Sequence, residues 1–339
     1  SRVVTGVQTC ALPILDKLFS IRQPITEELA LLNKTLTESL HTTSPLMNEV
    51  IQAYLESKGK QIRPILVLLC AKLFGEVPRE AIDAAASLEM LHNASLIHDD
   101  VVDESQKRRG LPTINHLYDN RIAVLVGDYF VSCALACSIK TNKMPIVSCL
   151  GVLGRDLARG EIDQLSNARN HLLDENAYFE VIRRKTASLF YACMQVGALS
   201  AGASAEDVAR LGMFGEKLGL CFQIKDDIFD YYEDKVIGKP TGNDLREGKI
   251  TLPLIYAITH GEGSENERMR DLLLSEEYLS SDSVHTLIEY AKTQGGIEYA
   301  YTTMGRIRNE AVDLLSVFPP SETIDALIAI LDYTIEREK

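Results

Sequence analysis

Apolar residues return every three or four positions along nearly all of this 339-residue chain, and that period limits its fold more than any other feature. ITEELALLNKTLTESL (25–40) shows the spacing plainly. SPLMNEVIQAYLESKG (44–59) adds punctuation, with Ser44 as N-cap, Pro45 as first helical residue and Gly59 as a stop. A longer apolar helix is expected from about Arg79 to Asp103, followed by helices over 121–138, 145–167, 175–200, 205–233, 250–260 and most of 265–336. Alternating strand patterns and hairpin dipeptides are nearly absent, and no repeat or low-complexity linker divides the chain. These observations predict a single all-α domain, a bundle of ten or more helices around one core.

Two stretches on this helical background need a chemical reason. SLIHDDVVDESQKRRGLPT (95–113) and QIKDDIFDYYEDK (223–235) each crowd carboxylates at the end of an apolar helix. Residues four apart share a helix face, so Asp99 pairs with Asp103 and Asp226 with Asp230. Asp100 and Asp227 lie about 100° round from the first of each pair. Like charges so placed cost a bare helix a few tenths of a kcal/mol each, about 0.2–0.5. Doing this twice points to oxygen ligands for a hard cation. Mg²⁺ suits the pattern, because it takes one or two carboxylates, keeps water and completes its shell from phosphates. Calcium would ask for an EF-hand loop, and zinc for closely spaced His or Cys, which His92 and His98 do not provide. A solvated acidic helix end is the bland alternative for either copy alone. Two facing carboxylate helices with Mg²⁺ between them would grip a diphosphate.

Basic residues complete that reading. Arg108 and Arg109 follow the first motif directly. GKQIRP places Lys60 and Arg63 at the start of a helix, where anions are favoured. RRKTA brings Lys185 and Thr186 into an apolar helix, and GKPTGNDLREGK offers Lys239 and Lys249. Each alone reads as solvated surface; together they would make two anion pockets.

A net charge of −13 argues against a nucleic-acid partner. The seven cysteines (Cys10, Cys70, Cys133, Cys137, Cys149, Cys193, Cys221) form no CxxC pair and read as buried thiols in a reducing compartment. No apolar run is expected to reach the 18–20 residues of a membrane span; PILVLLCAKLF reads as a core helix. SRVVTGVQTCALPI (1–14) resembles a translated sequencing adapter. It is expected to be an artefactual leader, with the catalytic domain covering 15–339.

Taken together, GKQIRP, HDDVVDESQKRRG, GDYF, KTA, FQIKDDIFDY and GKPTGNDLREGKITLPL fall in the order and spacing of the trans-isoprenyl diphosphate synthases, or polyprenyl synthetases, and the chain resembles that family from about residue 20 onward. A terpene cyclase would lack the GKxxRP and RRG elements. The resemblance implies the isoprenoid synthase helical bundle around a central cavity, and three Mg²⁺ ions. Asp99 and Asp103 would bind two of them, supported by Asp100; Asp226 would bind the third, with Asp227 and Asp230 acting through water. Arg108, Lys185, Thr186, Gln223, Lys239 and Lys249 would hold the allylic diphosphate, and Lys60, Arg63, His92 and Arg109 the isopentenyl diphosphate. Among these, Asp99, Asp103, Lys185, Asp226 and Lys239 are the implied catalytic set. Ionisation of the allylic C–O bond, attack by the isopentenyl double bond and proton loss to the departing diphosphate would follow, without a side-chain base. GEIDQL (160–165) also matches, with Glu161 and Gln164 open between supporting groups beside the metals and plain helix surface.

In this family bulky aromatics one turn before the first motif stop the growing chain. Ala94 and Ser95 are small here, Ser95 lying about 6 Å along the helix axis from Asp99 with Ala94 beside it. The product is therefore expected to exceed fifteen carbons, with seven or eight isoprene units as the working length. Leu91, Phe130, Cys133, Ala134 and Cys137 are the next candidate floors. A short-chain synthase, a non-catalytic partner subunit and a plain helical scaffold remain the competing readings. A cytoplasmic homodimer is expected, through helices that include GDYF, with transient membrane contact to release product.

Overall fold

The computed structural model describes residues 18–56, 59–108, 110–232, 241–275 and 279–337. The leader at 1–14, Arg109 and Lys239 lie outside them. After a single 3₁₀ turn the helices are α1 (Thr26–Leu40), α2 (Pro45–Glu56), α3 (Ile62–Lys72) and α4 (Arg79–Val102). A two-residue antiparallel pairing of β1 (Lys107–Arg108) with β2 (Leu111–Pro112) follows. Then come α5 (Ile114–Leu117), α6 (Asn120–Lys140), α7 (Met144–Arg169) and α8 (Glu175–Ile182). A π-helical turn (Arg183–Ala187) leads into α9 (Ser188–Ser200) and α10 (Ala205–Phe229). The remainder is α11 (Asn243–Arg246), α12 (Leu252–His260), α13 (Gly263–Ser275), α14 (Ser281–Thr293), α15 (Gly296–Leu315) and α16 (Glu322–Glu336). The fold is all-α, as the period predicts.

Local chemistry sets the boundaries. Asp119, Asp174 and Ser280 accept backbone N–H groups at the starts of α6, α8 and α14, at 2.9, 2.8 and 3.1 Å. Such caps stabilise a helix by about 1 kcal/mol each. Three expectations are corrected. The helix expected over 175–200 is broken by the π-turn, the one over 205–233 ends at Phe229, and Lys107 pairs with Pro112 where no strand was foreseen. Side-chain period reports which face is buried, and a five-residue π-turn or a two-residue ladder is too short to alter it.

The residues group into two compact units. Among the described residues, the first takes those within 18–154, 189–215 and 314–333; the second takes those within 155–188, 216–313 and 334–337. In the first, α4 packs most extensively against α6, with α3 and α1 on its other sides. Alanines at 81, 84, 85, 86 and 94 keep α4 thin there, and the Ser87 hydroxyl donates to the Ala134 carbonyl at 2.7 Å. Gly127 makes room for the His98 ring, since a Cβ on it would stand 2.2 Å from His98 Nε2. Helix α3 is buried from Pro64 to Ala71 and is apolar all round, as a central core helix must be.

The expectation that no apolar run reaches membrane-spanning length is also corrected. The 21 residues of α6 are long and apolar enough to cross a membrane by length and composition alone. Asp128 interrupts the run without lowering its average enough. One stripe of α6, including Val126, Phe130, Ala134 and Cys137, is buried as in a core helix.

In the second unit, α12 packs on α14 and α8. Buried Asn266 ties α12 to α14: it accepts from the Tyr290 hydroxyl at 2.9 Å and donates to the Gly261 carbonyl at 2.6 Å.

Candidate active site

The last turns of α4 carry the first acidic motif. The Asp103 N–H donates to the Asp99 carbonyl at 2.8 Å and closes the helix. Asp99 is half-buried and Asp103 exposed, whereas Asp100 turns inward and is 7% exposed. Arg108 returns across it, its Nε donating to Asp100 Oδ1 and Oδ2 at 2.9 and 3.1 Å, with Nη2 2.9 Å from Oδ1. The return is fixed by the Ser105 N–H on the Asp100 carbonyl at 2.9 Å and by Asn115 on the same carbonyl at 3.2 Å. The β1–β2 pairing holds Arg108 in place. This guanidinium, expected on a substrate phosphate, is here a forked partner of a buried carboxylate.

Elsewhere in the first unit, the exposed Lys60 ammonium sits 5.2 Å from the Tyr333 ring centre, and the half-buried Arg63 guanidinium 5.1 Å from that of Phe190. His92 is buried. Of the positions read as setting product length, Ala94 is buried and Leu91 and Ser95 are half-buried, the Ser95 hydroxyl donating to the His92 carbonyl at 2.8 Å. On α6, Phe130, Ala134 and Cys137 are buried and Cys133 is half-buried; Phe130 meets Tyr54 edge-on at 5.1 Å.

The second unit gathers its predicted residues. Lys185, Thr186, Gln223, Asp227 and Lys249 line one pocket, with apolar walls from Leu172, Val181, Ile182 and Ile250. The π-turn presents Lys185 and Thr186, and π-turns of this kind recur at functional sites. Gly160 of α7 lets that turn approach, since a Cβ there would stand 2.6 Å from the Lys185 backbone nitrogen. Lys185 donates to Gln164 Oε1 at 2.6 Å and is ion-paired with Glu161. Both residues of GEIDQL left open by sequence therefore hold a pocket lysine. Lys249 is paired with Glu247 at 2.6 Å.

The second acidic motif is held from several sides. Asp226 accepts from Arg337 at 2.7 Å; that guanidinium also donates to the Phe222 carbonyl at 3.1 Å and lies 4.1 Å from the Phe222 ring centre. Buried Asp227 accepts from the Tyr178 hydroxyl at 2.6 Å and from Gln223 at 2.8 Å. Asp230 accepts the backbone N–H groups of Asn243 and Asp244, both at 3.0 Å.

Burial drives the Asp227 carboxyl up to about 7; the hydrogen bonds from Tyr178 and Gln223 oppose this, and neighbouring Asp226 and Asp230 add to it. Asp244, which also lines the pocket, is raised well above the ordinary carboxylate range by burial and by Asp227 and Asp230. Excess buried acid of this kind favours a cation. Among the described residues no three His, Cys, Asp or Glu side chains stand close enough to chelate a metal themselves. Oxygen donors offered a few at a time fit Mg²⁺, whose remaining positions go to water and phosphate.

Sequence reasoning missed Tyr178, Gly160, Asp244 and Arg337. Asp244 stood inside a quoted motif, and Gly160 opens GEIDQL. Tyr178 and Arg337 carried no signal, one resembling a core aromatic and the other a charged chain end.

The polyprenyl synthetase family matches residues 44–291. The chain is similar to the octaprenyl diphosphate synthase of Haemophilus influenzae, 32% identical over 324 residues that cover 95% of this chain and 97% of that one. It is similar to the heptaprenyl diphosphate synthase component 2 of Bacillus subtilis, 32% identical over 317 residues, covering 93% and 89% of the two chains. Among solved structures, the geranylgeranyl pyrophosphate synthase from Bacteroides thetaiotaomicron matches with a TM-score of 0.82 at 41% identity, covering 95% of this chain and all of that one (100%).

Proposed function

Because this chain belongs to the polyprenyl synthetase family and is a prenyltransferase that makes polyprenyl diphosphate, we propose that it extends an allylic primer such as farnesyl diphosphate with isopentenyl diphosphate to an all-trans product of about 35–40 carbons for quinone side chains. The observation that carries the site reading is the convergence of Lys185, Thr186, Gln223, Asp227 and Lys249 on one pocket.

In this reading the allylic diphosphate lies in that pocket, its charge met by Lys185 and Lys249 and its oxygens by the free N–H of Gln223, whose amide oxygen takes the Thr186 hydroxyl proton. Arg108 and Lys239 complete its binding, while Lys60, Arg63, His92 and Arg109 hold isopentenyl diphosphate. Asp99, Asp103 and Asp226 are the magnesium ligands, with Asp100, Asp227 and Asp230 behind them. Magnesium, when bound, supplies Lewis-acid stabilisation of the charge on the leaving diphosphate. The apolar walls exclude water from the allylic cation. No side-chain base is required, since the departing diphosphate accepts the proton.

Small side chains at Ala94 and Ser95 support the longer product. So do relatives named for octaprenyl and heptaprenyl synthesis. The chain acts as a homodimer: Val124, Val131, Leu135 and Ile139 share one exposed apolar face of α6, and a second copy of that face would cover it. Sedimentation of the purified chain should give twice its 37.6 kDa mass, and a monomer overturns the dimer. The activity test incubates the chain alone with Mg²⁺, labelled isopentenyl diphosphate and geranyl, farnesyl or geranylgeranyl diphosphate, and sizes the dephosphorylated alcohols. Elongation abolished by Lys185→Ala is expected. A twenty-carbon end product overturns the length, and inactivity without an added subunit overturns the autonomous enzyme.

A further inference from the structure

Thr186, Gln223, Asp227 and Tyr178 form one hydrogen-bonded chain along a wall of the pocket they all line. The Thr186 hydroxyl donates to Gln223 Oε1 at 2.6 Å, Gln223 Nε2 donates to Asp227 Oδ1 at 2.8 Å, and the Tyr178 hydroxyl donates to Asp227 Oδ2 at 2.6 Å. When ionised Asp227 only accepts, and in that form it fixes which end of the Gln223 amide faces it. The amide oxygen is thereby turned to Thr186, and the second amide N–H is the donor Gln223 can offer a phosphate oxygen. Gln223 and Asp227 stand four apart on α10 and stay in register. Nothing in that pair stops the carboxylate from rotating; the Tyr178 hydroxyl on its far oxygen does. Tyr178 comes from α8, which leads into the π-turn that carries Lys185, and is 7% exposed.

We propose that Tyr178 is a positioning residue for the allylic diphosphate, acting through Asp227 to set the Gln223 amide, whose second N–H is left for a phosphate oxygen. The inference rests on reading this pocket as the allylic site. Losing a hydrogen bond to a charged group, as Tyr178→Phe does, weakens what depends on it about tenfold or more. Tyr178→Phe should therefore raise the KM for farnesyl diphosphate about tenfold. The KM for isopentenyl diphosphate should stay within about twofold, because the chain touches only one substrate.

The decisive experiment is a double-mutant cycle, read as binding of the inert farnesyl thiolodiphosphate by calorimetry in the presence of Mg²⁺. Gln223→Ala should weaken binding, and Tyr178→Phe in that background should add less than about twofold, since its route is already cut. Independent, multiplying losses, or equal rises in both KM values, would show a role in packing only and overturn the inference. Should Tyr178→Phe fail to fold, 4-aminophenylalanine at 178 keeps a donor in place. Binding near wild type then supports the proposal, and binding as weak as that of Gln223→Ala overturns it. If Lys185→Ala and Gln223→Ala both leave allylic binding intact, the reading of the pocket fails. If they weaken it and Tyr178→Phe does not, only the Tyr178 inference fails.

Discussion

Arg108 grips both carboxylate oxygens of Asp100 from the far side of a tight return, so a buried acid at the end of α4 is neutralised by a partly exposed base eight residues on. Removing the arginine leaves the acid buried without its fork. Arg108→Ala should lower the unfolding free energy of the metal-free protein by about 1–3 kcal/mol, the lower part of that range reflecting the exposure of the guanidinium. Arg108→Lys should recover less than half of it, because an ammonium cannot reproduce a planar fork. Urea unfolding followed by circular dichroism checks both.

Asp227 gives the metal-free protein an unusual response to pH. Its carboxyl is raised to about 7 by burial, well above the 3.8 of an ordinary aspartate. The folded state therefore binds this proton more tightly than the unfolded state does. Its contribution to stability is full below the unfolded value and is lost as pH rises through about 7. The melting temperature without Mg²⁺ should fall between about pH 4 and 7, and Asp227→Asn should flatten that slope. A slope unchanged in the variant would remove Asp227 as its source.

Gly160 is where α7 meets the turn bearing Lys185 and Thr186. An alanine methyl would stand 2.6 Å from a backbone nitrogen, which cannot rotate away. Gly160→Ala should displace the turn and cut kcat/KM for the allylic primer at least tenfold, with a loss of about 1–3 kcal/mol in stability. Steady-state kinetics beside thermal melts separates the two effects.

Ala94 is buried on α4, one turn before Asp99. Ala94→Tyr should shorten the end product to fifteen or twenty carbons with little loss of first-step rate. Product chromatography decides it; unchanged length would show that the floor lies elsewhere.

Much of this was legible in the chain itself. The period of the apolar residues located the helices, since burial of one face is what hydropathy records. Arg79 was correctly read as the start of α4, and its end fell one residue from the expected Asp103. The pocket residues were legible because Lys185, Thr186, Gln223 and Lys249 sit in motifs of unusual composition. What stayed hidden depends on contacts distant in sequence. Tyr178 meets Asp227 across forty-nine positions, and Arg337 meets Asp226 across a hundred and eleven. A lone tyrosine on an amphipathic helix reads as packing until its oxygen is placed. The break at Arg183 was invisible for another reason: a π-turn changes hydrogen bonding without changing which residues are apolar.

That turn also works as a ledge. A π-helical loop holds one residue more than the α-turn it replaces, and the widened loop here is Arg183–Ala187, which carries Lys185 and Thr186. Deleting one residue there would close it to ordinary α spacing and remove the bulge that brings both side chains to the pocket lining. The surplus residue turns a run of helix into a shelf for two polar side chains.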